Sequence, residues 1–105
     1  CIIEDEVVLS SNVVLGGNVY IMKAAQLGIK VSVHQNKTIG SYSMIGMHSF
    51  ITKKTSIIPG YIFFGKPAKK IKKNLIGLKR NKMTTASLKK EIMRFKKIEA
   101  KKKNL

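Results

Sequence analysis

Side chains able to do acid–base or nucleophilic chemistry are scarce in this chain. His34 and His48 are the only histidines, Cys1 is the only cysteine, and the acids are Glu4, Asp5, Glu6, Glu91 and Glu99. The sequence holds no HExxH segment, no Cys/His pair at metal spacing and no GxxxxGK[ST] phosphate loop. That excludes the common zinc, nucleophilic-triad and P-loop arrangements. His34 stands beside Gln35. A neutral imidazole there can accept the proton of a sugar hydroxyl or help to hold a nucleotide. The competing reading is an exposed polar residue on a turn. His48 reads as a surface residue.

What must position His34 is a ladder of aliphatic residues, one every sixth position: Ile3, Leu9, Leu15, Ile21, Leu27, Val33, Ile39, Ile45, Ile51 and Ile57. A fixed period of this kind marks a repeat architecture. Four residues after each anchor comes a second column: Val7, Val13, Val19, Ala25, Val31, Lys37, Ser43, Ser49 and Thr55. Six is even, so both columns face the same side of an extended chain, whereas helical geometry would scatter the anchors around its axis. The repeat therefore predicts short strands. Turns are expected at Ser10-Ser11-Asn12, Gly16-Gly17-Asn18, Gly28, Gly40 and Gly46, where Gly and Asn tolerate left-handed backbone. The solid that satisfies this pattern is a mainly β parallel β-helix with an aliphatic inside, in three coils over 3–20, 21–38 and 39–56. His34 falls directly after an anchor, in the slot of Gly16 and Thr52 one coil away. That slot is expected at a strand's start, pointing outward. Lys37 interrupts the small-residue column, and a bulge or re-aimed turn is expected there.

The chain divides into the coils (1–57), a basic loop or nucleotide-contact segment (58–83) and a C-terminal amphipathic helix (84–105). In the second segment, Tyr61–Phe64 predicts a brief strand, broken by Gly65-Lys66-Pro67-Ala68-Lys69, and 69–82 a basic loop or short helix. From about Thr85 to Lys103, Leu88, Ile92, Phe95 and Ile98 share one stripe, with Thr84, Thr85 and Ser87 as candidate N-caps. The end, Lys101 to Leu105, is expected to fray. Residues 1–52 carry Lys23, Lys30 and Lys37 against Glu4, Asp5 and Glu6, so the whole net charge of +16 lies in the second half. Such a half suits an anionic partner: a nucleotide, an acidic carrier protein or a membrane surface touched peripherally. Nucleic acid is disfavoured, because basic and aromatic residues do not interleave in the terminal helix. A lone cysteine and the lack of a membrane-length apolar run make a cytoplasmic location the expectation. A first coil with an unpaired parallel edge leads us to expect further coils before Cys1, or another chain covering that edge.

LSSNVVLGGNV (9–19), VSVHQ (31–35), IGSYSMIG (39–46), GKPAK (65–69) and NLIGLKR (74–80), set on the hexapeptide ladder, resemble the acyl-ACP–UDP-N-acetylglucosamine O-acyltransferases. The resemblance covers residues 1 to about 83 in one register. It implies a left-handed β-helix that trimerises with active sites in clefts between subunits. The implied reaction moves a 3-hydroxyacyl group from acyl carrier protein to the 3-hydroxyl of UDP-N-acetylglucosamine, in lipid A synthesis. No cofactor is implied; the carrier-protein thioester is the co-substrate. The family's base histidine lies in an H-D-C segment whose last residue matches Cys1, which puts the base two residues before this chain begins.

The same resemblance gives residues their roles. Gly17 matches the glycine whose N–H holds the thioester carbonyl oxygen. His34 and Gln35 match a pair at the substrate cleft, with Asn18 beside them. Asn74 and Arg80 match nucleotide contacts. Met47 matches the position limiting acyl length, where a methionine favours a shorter chain. The sequence departs from the family at Asn18 (usually histidine), Asn36 (phenylalanine) and Asn81 (a second arginine). These departures are compatible with two alternatives: an acetyl-CoA-dependent acetyltransferase of a nucleotide sugar, and a non-catalytic β-helix that binds through its basic end.

Overall fold

A computed structural model describes residues 1–103. The anchors and their neighbours form nine two-residue strands, β1 (Ile2–Ile3), β2 (Val8–Leu9), β3 (Val14–Leu15), β4 (Tyr20–Ile21), β5 (Gln26–Leu27), β6 (Ser32–Val33), β7 (Thr38–Ile39), β8 (Met44–Ile45) and β9 (Phe50–Ile51). They wind as a left-handed parallel β-helix of three coils, triangular in section. Face A carries β1, β4 and β7; face B carries β2, β5 and β8; face C carries β3, β6 and β9. Every pairing joins residues 18 apart, as in Ile3 with Ile21 and Ile21 with Ile39. Anchors thereby stack on anchors, and Ile21, Leu27, Ile39, Ile45, Ile51 and Ile57 are buried to 1% exposure or less. Among the described residues nothing packs beneath the first coil, and its anchors Ile3 and Leu9 are 47% and 38% exposed.

The turns work differently from the sequence-based expectation. Left-handed backbone occurs at every sixth residue from Glu6 to His48, with φ between 57° and 63°, and includes Ala24, Lys30 and Tyr42 as well as Asn12, Asn18 and Asn36. Coil-to-coil hydrogen bonds hold these corners: the N–H groups of Ala24, Lys30, Asn36, Tyr42 and His48 donate to Asp5, Ser11, Gly17, Lys23 and Ile29. A bond that recurs at each layer holds a conformation that costs a residue with a Cβ about 1 kcal/mol or more. The expected turn glycines serve another purpose. At Gly40, a Cβ would stand 2.4 Å from the Pro59 nitrogen, so the glycine admits the next coil's backbone.

After a bridge from Ile57 to Ile39, β10 (Tyr61–Gly65) joins face B beside β8. The Gly65–Lys69 stretch does not end the sheet. It turns the chain into β11 (Ala68–Lys73), antiparallel to β10, so much of the expected basic loop is an edge strand. Lysines along it blunt an otherwise open edge. A short helix α1 (Leu75–Arg80) follows.

The predicted terminal helix is present as α2 (Thr85–Lys103) and remains helical through the lysines expected to fray; Asn104 and Leu105 lie outside the described residues. Thr84 caps it, its Oγ1 accepting from the Ser87 N–H at 3.1 Å. The helix crosses face A, burying Leu88 against Tyr42 and Leu78 at one end and Phe95 further along. A polar clasp fixes its middle. Arg94 donates to both carboxylate oxygens of Glu4 at 2.6 and 2.7 Å and to Glu91 at 2.9 and 3.1 Å. Glu4 also accepts from the Tyr20 hydroxyl and the Lys23 N–H.

These bonds, Arg94's above all and partly opposed by burial, lower the Glu4 pKa from 4.5 to about 2. The folded-state value lies below the unfolded one. The clasp's contribution is therefore complete above the ordinary glutamate pKa and is lost as pH falls from 4.5 towards about 2. After screening by solvent, urea unfolding between about pH 5.5 and about pH 2 should record a loss on the order of 1 kcal/mol attributable to Glu4. Glu4→Gln should be less stable at the higher pH and lack that share of the acid loss; equal acid losses in both proteins contradict the clasp.

Candidate functional site

The corner between faces C and A gathers four of the seven residues singled out by sequence. Three turns stack there: Gly16-Gly17-Asn18, His34-Gln35-Asn36 and Thr52-Lys53-Lys54, each one coil above the last. Asn18 and Asn36 are joined by a side-chain hydrogen bond of 3.1 Å. His34 follows its strand rather than starting it, because β6 ends at Val33; its side chain is exposed as expected. Its Nδ1 lies 2.9 Å from the Gln35 carbonyl oxygen. A carbonyl only accepts, so Nδ1 carries the hydrogen and the Nε2 lone pair faces outward as an acceptor. Gly17 leaves open space: no atom lies within 4 Å of where a Cβ would stand.

Opposite this corner runs the last part of α2, and between them lies a cleft of about 850 Å³. His34, Gln35, Lys37, Lys53 and Lys54 line the coil side; Phe95, Lys96, Glu99 and Lys102 line the helix side. No bulge accompanies Lys37. The ladder keeps its register through β7, and Lys37 is 7% exposed. The reason is α2: the lysine stem is covered and its ammonium ends 3.6 Å from Glu99, a carboxylate oxygen with no hydrogen-bond partner of its own. Lys102 reaches back to the Asn18 carbonyl, and burial there lowers its pKa. The α2 contributions were not legible in the sequence, since nothing local marks which of many helix lysines turns towards the coil.

The other predicted site residues lie elsewhere. Asn74 sits at the corner between faces A and B, 8% exposed. Its amide donates to the Tyr42 carbonyl at 3.0 Å and its oxygen caps α1 through Gly77 N–H. Within one chain it is a structural residue. Arg80 is exposed at the end of α1, beside the same corner. Met47 and His48 are exposed at the third corner, between faces B and C, where Met47 lies one coil above Ile29. The predicted residues thus fall on three separate corners of the prism. Among the described residues no group of three His, Cys, Asp or Glu side chains is placed to hold a metal ion. No described helix is long and apolar enough to cross a membrane.

No protein-family model matches the chain. An acyl-[acyl-carrier-protein]–UDP-N-acetylglucosamine O-acyltransferase of Synechocystis is 36% identical over 88 residues, which are 84% of this chain and 31% of that protein. The chain thus spans about a third of the length of the curated relatives it matches. A solved UDP-N-acetylglucosamine acyltransferase of Arabidopsis superposes with a TM-score of 0.70 and 28% identity, over 79% of this chain and 28% of that one. A UDP-N-acetylglucosamine O-acyltransferase structure from Moraxella catarrhalis gives 0.69 and 30%, over 80% and 32%.

Adjacent glycines separate packing from function at this corner. A Cβ on Gly16 would stand 2.5 Å from the Gln35 nitrogen, whereas one on Gly17 meets nothing. Gly16→Ala should cost about 2 kcal/mol or more in urea unfolding, and Gly17→Ala less than about 0.5 kcal/mol. Equal costs contradict this account of the corner.

Proposed function

We propose that this chain, which is related in sequence and fold to the acyl-[acyl-carrier-protein]–UDP-N-acetylglucosamine O-acyltransferases, carries part of an active site for acyl transfer to a nucleotide sugar. The observation that carries the reading is the stacked corner itself, where Gly17 and Asn18 lie one coil below His34 and Gln35, and the latter two line the cleft. In the reaction the sugar hydroxyl oxygen attacks the thioester carbonyl of the acyl carrier protein. The new C–O bond forms, the C–S bond breaks and the carrier leaves as a thiol. The Gly17 N–H is suited to the oxyanion, with open space on the side where a Cβ would stand. The His34 Nε2 lone pair accepts a hydrogen bond from the sugar, with Gln35 beside it. The basic second half favours encounter with an acidic carrier protein. On this reading the product enters lipid A assembly in the cytoplasm.

The distribution of residues over three corners supports assembly from several copies, a trimer in the family's manner. No corner of one chain holds His34, Arg80 and Met47 together, but corners of neighbouring prisms can meet. Faces B and C are free of α2 and expose Val8, Val14, Met44 and Phe50, apolar residues suited to such contacts. Met47, 55% exposed, would then limit the acyl chain across the junction.

The test is to incubate the full-length product of the reading frame with UDP-N-acetylglucosamine and carrier-protein thioesters of graded length. Transfer favouring shorter chains is expected, falling about a hundredfold or more in His34→Ala. No transfer with any chain length refutes the reading. Transfer only from acetyl-CoA selects the acetyltransferase alternative.

A further inference from the structure

We propose that the cleft between the His34 corner and α2 is a phosphate-binding site in which Lys53 and Lys54 of the coil and Lys96 and Lys102 of the helix hold the phosphate groups of a substrate. The proposal rests on the reading of this corner as a substrate site, and adds to it a second wall and a ligand chemistry. Five lysines line the cleft against one carboxylate, and that carboxylate, Glu99, already faces Lys37. Glu99, which Lys102 also feels, is the one acidic group among the residues lining the cleft for the remaining four. Like charges gathered at one cleft repel, and an anion relieves that repulsion.

Helix stability accounts for part of this pattern. Cations in the last turn complement the helix dipole, which explains Lys101 and Lys102. It does not explain Lys96 more than a turn earlier, nor Lys53 and Lys54 on the coil. Side-chain direction matters too: Lys102 is turned onto the coil, where it meets the Asn18 carbonyl, and burial weakens its hold on its proton. An anion beside it would offset that effect. The sequence offered Arg80 for the phosphate role, but Arg80 belongs to the corner where α1 packs. Within one chain, the cations next to His34 are these lysines.

Two substrates of an acyl transfer carry this chemistry, the diphosphate of a nucleotide sugar and the phosphodiester of a phosphopantetheine thioester arm. The protein contains its own reporter pair, since His34 lines the cleft and His48 lies at a different corner. Inorganic pyrophosphate titrated into the whole chain should shift the His34 imidazole NMR signals saturably and leave those of His48 in place. Lys96→Ala with Lys102→Ala should weaken that binding about tenfold, while Lys89→Ala with Lys97→Ala, exposed lysines outside the cleft, leaves it unchanged. Parallel drift of both histidines, no shift in either, or equal weakening in the two double variants overturns the proposal. The wild-type titration needs no variant, so unfolding of a mutant does not blunt the test. UDP binding more tightly than pyrophosphate assigns the site to the sugar nucleotide, and 4′-phosphopantetheine doing so assigns it to the thioester arm. The measurement involves no turnover. A chain that binds pyrophosphate here yet transfers no acyl group would refute the enzymatic reading and leave this site standing.

Discussion

The backbone hydrogen bonds between successive coils are the constraint on which everything else depends. Val14 donates to Val31, Tyr20 to Lys37 and Gln26 to Ser43, and the same offset recurs around the prism. Because the offset is constant, a residue type placed once per coil becomes a column. The aliphatic anchors become a continuous core, and corner residues become stacked polar rows such as Asn18 on Asn36. The same bonds hold side-chain-bearing residues in left-handed corners and forbid a side chain at Gly16 and Gly40, where the next coil's backbone comes too close. A corner residue in this fold is placed by its neighbours one coil away more than by its own preferences.

Most of the solenoid was legible because its period is short and its consequence global. Ten anchors in one phase fix strand, face and register together. The reading of the turns was less faithful. Left-handed tolerance suggested glycine and asparagine, yet Ala24, Lys30 and Tyr42 also sit in that region, held by bonds to the coil before. β11 was missed because it pairs with β10 as an antiparallel hairpin and has no hexapeptide period. At the site, the repeat placed His34 in the slot of Gly16 and Thr52, while the family resemblance supplied Gly17, Asn18 and Gln35. The partners that α2 brings were hidden by distance: Glu4 and Arg94 are 90 residues apart, and Lys37 looked misplaced until Glu99 was seen above it.

The helix is therefore more than a terminal cap. It seals face A with Leu88 and Phe95, is clasped by Glu4 and Arg94, and ends as the second wall of the cleft beside His34. By covering one face it leaves the other two for contact between copies. That division matters for function, because Arg80 and Met47, matched to the nucleotide and the acyl chain, lie on other corners than His34. Within one chain, the residues proposed for the site lie on separate corners.

The central claim, that a working site is completed across copies of this chain, is tested most directly by complementation. Chains carrying His34→Ala and chains carrying Arg80→Ala would be unfolded, mixed, refolded together and titrated with UDP-N-acetylglucosamine. Each variant alone should bind weakly, and the mixture should regain a fraction of sites with wild-type affinity, because some junctions pair an intact His34 with an intact Arg80. A mixture that binds no better than its two components would contradict the account.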